Sequence, residues 1–158
     1  MLGRATGMTV AMALLLATGA EAKVPPKLLG KVFLTVERIR DQAPDALGRM
    51  FEKKTPKAEL KRAKDGHWTA TMVGFFRKPS VDGPITIWLY DRQDKAAIKA
   101  KEPVDAISVD GKPSQVFVYD IDINPDKGFN KGRTYLILVG QIIAKRERVY
   151  GQGEVVLQ

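Results

Sequence analysis

Residue types that carry chemistry are sparse in this chain. Among its 158 residues there is one histidine, His67, and no cysteine. Composition therefore excludes thiol catalysis, disulfides and thiolate-bound metals. A zinc site would need His67 plus several carboxylates or waters, a donor set zinc rarely accepts. A Ser–His–Asp arrangement would have to use Ser80, Ser108 or Ser114. None lies in G-x-S-x-G, and each falls in or beside a turn or hairpin. His67 stands beside a turn and Trp68, where a lone histidine is expected to hydrogen-bond or face water.

The acidic residues offer two further chemistries. Asp122-Ile-Asn124-Pro-Asp126-Lys-Gly128 resembles the start of an EF-hand loop and makes Asp122, Asn124 and Asp126 the candidate calcium ligands, with Asp120 beside them. Counting from Asp122, Lys127 stands where the loop requires Gly, and Arg133 where it requires a bidentate Glu. The favoured expectation is a turn at Asn124-Pro125-Asp126, with Asp120 and Asp122 as the solvent-facing residues of a strand. Glycoside hydrolysis needs two acids about 5 to 9.5 Å apart across a cleft. Asp91 with Asp94, and Glu102 with Asp105, are close in sequence but lie in polar connections. Gly151-Gln152-Gly153 lacks the strand-to-helix setting of a phosphate loop and reads as a bend or bulge. No catalytic residue and no cofactor is assigned.

Partner binding is the stronger signal. The net charge is +8, and Lys57, Lys61, Arg62 and Lys64 cluster together, with Lys53 and Lys54 just before them. Lys145, Arg146 and Arg148 occupy a second basic turn. The expected partners are an envelope protein or glycan, with anionic polysaccharide or lipid headgroups as the available anions and no nucleic acid. Trp88 and Tyr90 alternate with core residues, and Phe75 joins them as an aromatic candidate for stacking on sugars or proteins. The competing expectation places these rings under a helix at 44–53.

Such residues need elements to position them. Residues 1–22 read as a signal peptide: Arg4, an apolar stretch from Met8 to Ala17, and Ala20-Glu21-Ala22 before the cleavage point. The apolar stretch is short of the roughly 20 residues of a spanning helix. The protein is therefore expected to be exported, periplasmic or extracellular, with residues 23–31 an extended lead-in and 32–158 one domain. Val32, Leu34 and Val36 begin a first strand, and Pro44 opens a short helix. Asp65-Gly66 marks a hairpin; a three-residue loop of Lys64-Asp65-Gly66 sets Leu60 opposite Ala70. The alternative makes 56–64 a basic helix. ITIWLYD, VDAISVD, QVFVYDIDI, TYLILVGQII and VYGQGEVVLQ supply further strands, with a hairpin expected at Gly111-Lys112-Pro113 and a helical turn around Lys95–Lys99.

Seven or eight short strands with one short helix predict an all-β domain, an antiparallel β-sandwich, with a closed barrel as runner-up. The run Phe129-Asn130-Lys131-Gly132-Arg133-Thr134-Tyr135, followed by LILV, resembles the approach to strand F in immunoglobulin-like and fibronectin type III-like sandwiches. That resemblance implies that Tyr135 is a corner residue with its ring inside and its hydroxyl bonded back to the loop. The expected function is a non-catalytic binding or accessory module of the cell envelope. A small secreted hydrolase or a calcium-dependent glycan-binding accessory protein is the alternative.

Overall fold

The computed structural model describes residues 23–39 and 42–158; the expected signal peptide lies outside them. The elements are β1 (Lys31–Thr35), α1 (Pro44–Lys53), β2 (Glu59–Leu60), β3 (Trp68–Phe75), β4 (Ile85–Asp91), α2 (Lys95–Ala100), β5 (Asp105–Val109), β6 (Val116–Ile123), β7 (Thr134–Ile143) and β8 (Arg146–Leu157). The all-β expectation holds, with two short helices where one was expected.

The strands form one sheet in the order β5-β4-β7-β8-β1-β3-β6, with β2 beside β8. Neighbours run antiparallel except β1 and β2, which meet β8 in parallel. The sheet curls so that residues from both halves fill one interior: Ile85, Ile87 and Leu89 of β4, Ile137 and Val139 of β7, and Ile121 and Ile123 of β6. The strand order leaves β5 and β6 as unpaired edges, so the sheet does not close into a barrel. Burial of alternate residues explains the curl, because period-2 side chains share one face and that face must leave water.

The helix α1 covers part of the outer face. Pro44 starts it, and the Asp45 carboxylate accepts the Lys23 backbone N–H at 3.0 Å. Leu47, Met50 and Phe51 recur at helical spacing and pack with Leu28, Val73, Phe75 and Val116. Phe51 lies 5.4 Å from the Phe33 ring and 5.6 Å from that of Phe75. The lead-in contributes to this layer through Leu28, the last residue of a 3-10 turn at Pro26–Leu28 where an extended run was expected.

Three sequence expectations are corrected. The turn at Lys64-Asp65-Gly66 forms, with the Ala63 N–H bonded to His67 and Gly66 at φ +89°. The ladder then stops, because Leu60 pairs with Leu157 of β8 in place of Ala70. Residues 56–64 are accordingly neither a hairpin arm nor a helix. The expected β5–β6 hairpin is also absent: β5 pairs with β4 and β6 with β3, which carries them to opposite ends of the order. Lastly, the RER segment after Ala144-Lys145 is strand, not turn.

Polar anchors fix the loops. Tyr135 is fully buried, its ring 4.9 Å from Phe129, and its hydroxyl accepts the Asn130 backbone N–H at 2.7 Å. The buried Gln141 side chain accepts from the Val81 N–H and the Tyr150 hydroxyl and donates to the carbonyls of Val81 and Gly83. It thus binds the β3–β4 loop to β7 with its amide fully satisfied. A β-bulge falls between Val139 and Gly140, where any side chain on Gly140 would collide with the Arg148 carbonyl.

Candidate functional site

The chemistry-bearing side chains that the fold brings together lie on the outer face of β3 and β6. The register sets Thr69 opposite Asp122 and Thr71 opposite Asp120. Thr71 Oγ1 donates to Asp120 at 2.7 Å. His67 Nδ1 lies 2.9 and 3.0 Å from the two Asp122 oxygens. Thr69, Thr71, Asp120 and Asp122 line a groove of about 380 Å³ beside β6 together with Val36 and Arg38. The single histidine therefore ties the start of β3 to the edge strand. A nucleophile would need a hydroxyl bonded to that imidazole; the His67 ring contacts the Asp122 carboxylate, and the Thr71 hydroxyl donates to Asp120.

The backbone of β6 completes the site. The Phe76 N–H bonds to the Gln115 carbonyl at 2.8 Å, so Phe76 and Gln115 form a hydrogen-bonded pair. Antiparallel pairs alternate, which points the N–H and C=O of Phe117, Tyr119 and Ile121 at β3 and those of Val116, Val118, Asp120 and Asp122 away from it. Ser114 satisfies Val116, donating to its carbonyl and accepting its N–H. Val118, Asp120 and Asp122 have no backbone partner among the described residues. Phe117 and Tyr119 stack on the inner side at 6.3 Å and stay half-buried against the core.

The calcium candidates do not converge. Asp122 is engaged by His67, and the Asn124 side chain accepts the Asp126 N–H to cap a 3-10 turn, leaving Asp126 in solvent. No group of three His, Asp or Glu side chains able to hold a metal occurs among the described residues. The paired acids also part company. Asp91 sits 2.7 Å from Arg133 Nε, off the N–H axis, so the contact is ionic. Asp94 caps α2, Asp105 pairs with Lys127 at 2.8 Å, and Glu102 is exposed. Ser80 is buried as a clamp on the carbonyls of Lys112 and Ser114.

The aromatic candidates lie inside. Phe75 is covered by α1, as the competing expectation had it. Trp88 and Tyr90 are buried outside that layer, on the face of β4 opposite Ile87 and Leu89. Burial and then the Glu147 charge push the Tyr90 phenol above its ordinary value. These rings offer no exposed platform for a sugar. Lys57, Lys61, Arg62 and Lys64 are exposed and make no ion pair among the described residues. Arg62 is held over the Trp68 ring, 5.2 Å from its centroid.

Sequence reasoning missed Val118 and the outward backbone of β6, because edge position is set by strand order and no local pattern encodes it. Comparisons with protein-family models, with curated proteins and with solved structures found no match for this chain. No helix among the described residues is long and apolar enough to cross a membrane.

Proposed function

We propose that this chain is an exported, non-catalytic binding module of the cell envelope. On this reading its curled sheet serves as an immunoglobulin-like sandwich, and a protein partner adds an extended strand to β6. The fold part of the reading is supported by the strand order. One layer would be β5-β4-β7-β8, the other β1-β3-β6, with β1 touching both. Tyr135, buried at the start of β7 with its hydroxyl accepting the Asn130 N–H, supports this reading.

The observation that carries the binding part is the unpaired backbone of Val118, Asp120 and Asp122 on an eight-residue edge strand. An added strand would satisfy these groups, and its alternate side chains would meet distinct surfaces. One set would face Phe117 and Tyr119; the other would face Asp120 and Asp122, whose carboxylates are already oriented by Thr71 and His67. Charged edge residues normally discourage indiscriminate pairing. Here they favour a partner strand carrying lysine or arginine at alternate positions, which gives selectivity by repelling acidic strands.

The test is affinity capture from the native envelope with the wild-type chain and with Val118→Pro. Proline removes an outward N–H and adds bulk at the edge without breaking the β3 ladder. A partner retained by the wild type and lost by the variant, with both equally folded by circular dichroism, is expected. Equal capture by both, or no partner above background, would refute the reading.

A further inference from the structure

The hairpin of β7 and β8 carries a second surface, independent of β6. Beyond the bulge at Gly140 the register pairs Gln141 with Arg148, Ile142 with Glu147 and Ile143 with Arg146, around a two-residue turn of Ala144 and Lys145. Directly opposed residues share a face, so Ile142 and Val149 are diagonal neighbours on one side of the ribbon, and Arg146 and Arg148 lie on the other. Ile142 is 60% exposed and Val149 49%. Val81, 44% exposed, lies on the opposite side, where the Gln141 side chain bonds its N–H and carbonyl. Ile142 and Val149 thus form an exposed apolar pair on one side of the hairpin tip.

Charge on the hairpin turn is basic, while the exposed Asp82 belongs to the adjoining β3–β4 loop. Lys145, Arg146 and Arg148 are exposed and form no ion pair among the described residues. The acid nearest the turn in sequence, Glu147, is bonded to Lys101 at 2.8 Å. The tip therefore presents β-branched apolar side chains on one side and cations at its turn and on the other, on a backbone held by the Gln141 network.

We propose that this tip docks on an anionic lipid surface. Headgroup phosphates would take up Lys145, Arg146 and Arg148, and Ile142 and Val149 would enter the boundary between headgroups and acyl chains. Such binding adds buried apolar area to electrostatic attraction. An acidic polysaccharide matches the cations equally well but has no apolar layer to receive two exposed aliphatic side chains. The lipid surface accounts for both halves of the patch.

Co-sedimentation with vesicles tests this directly. The chain is mixed with vesicles of phosphatidylglycerol and phosphatidylethanolamine, and in parallel with vesicles of phosphatidylcholine alone. Two variants accompany it: Ile142→Ser with Val149→Ser, and Arg146→Gln with Arg148→Gln. All four positions are exposed, and melting temperatures within a few degrees of wild type establish that the variants fold; Ile142→Ser alone replaces the apolar pair if it does not. Binding to the anionic vesicles about tenfold or more above neutral ones is expected, falling with added salt. Each variant should lose several-fold in partitioning. Equal binding to both vesicle types, wild-type binding by either variant, or binding to a polyuronate without binding to vesicles would overturn the proposal. Because β6 is untouched by these changes, the outcome is separate from that of the strand-addition test.

Discussion

At the scale of single residues, strain and satisfaction fall at definable points. Ala144 and Lys145 both have left-handed backbones, with φ of 50° and 63°. That geometry suits the twist of a two-residue hairpin, but asparagine and glycine reach it far more easily. A left-handed conformation costs an ordinary residue about 1–2 kcal/mol. Replacing the pair with Ala144→Asn and Lys145→Gly should therefore stabilise the fold by about 1–2 kcal/mol in denaturant titrations. The sequence marked a charged turn here but not its two-residue length, because Ala144 and Lys145 are not hairpin-turn residues, whereas Gly66 announced its own.

The buried ring and loop-bonded hydroxyl of Tyr135 were expected through the family resemblance alone, since no local pattern encodes them. Burial raises its phenol above the ordinary value, against the opposing Asn130 N–H, and Tyr90 is raised as well. The unfolded chain then releases these protons first as pH climbs past about 10. Stability from the neutral phenols is complete below that pH and declines above it, through the folded values. Melting temperature should fall in this alkaline range, and Tyr135→Phe should shallow the fall. The same variant should cost about 1 kcal/mol near neutrality by losing one hydrogen bond.

At the scale of elements, the helix α1 was readable to the residue, since Pro44, Asp45 and the 47-50-51 spacing each mark it locally. It stabilises the outer face through Phe51, which touches both Phe33 and Phe75. Phe51→Ala should cost about 3–5 kcal/mol by chemical denaturation, as expected for a fully buried aromatic. A strand through Leu60 was readable, but its partner was not. Its partner β8 lies about a hundred residues along the chain, and local turn chemistry at Asp65-Gly66 pointed instead to β3. The same limit applies to β5 and β6, whose shared turn suggested a hairpin that strand order forbids. Long-range pairing decided each of these cases, and the local pattern held only where an element's own neighbours complete it.

At the scale of the whole molecule, the proposed binding role draws on the charge of +8 and on the open edges of the curled sheet. The residue types nominated from sequence alone divide by their surroundings. Aromatics at Phe75, Trp88 and Tyr90 went inside because apolar rings on a sheet face are covered whenever a helix or loop can reach them. The lysines and Arg62 stayed in solvent. Asp120 and Asp122 were read as solvent-facing, which they are, and their importance comes from the edge on which they stand. The proposed site is mostly backbone, and backbone groups leave no trace in composition.

Residue-by-residue amide exchange, with and without the captured partner, tests the edge most directly. In the free chain the amides of Phe117, Tyr119 and Ile121 should be slow and those of Val118, Asp120 and Asp122 fast, following the alternation of the β3 ladder. Strand addition predicts that the fast set slows by roughly a hundredfold or more when the partner binds, because each N–H gains an acceptor. Unchanged exchange at Val118, Asp120 and Asp122 in the bound state would contradict the account.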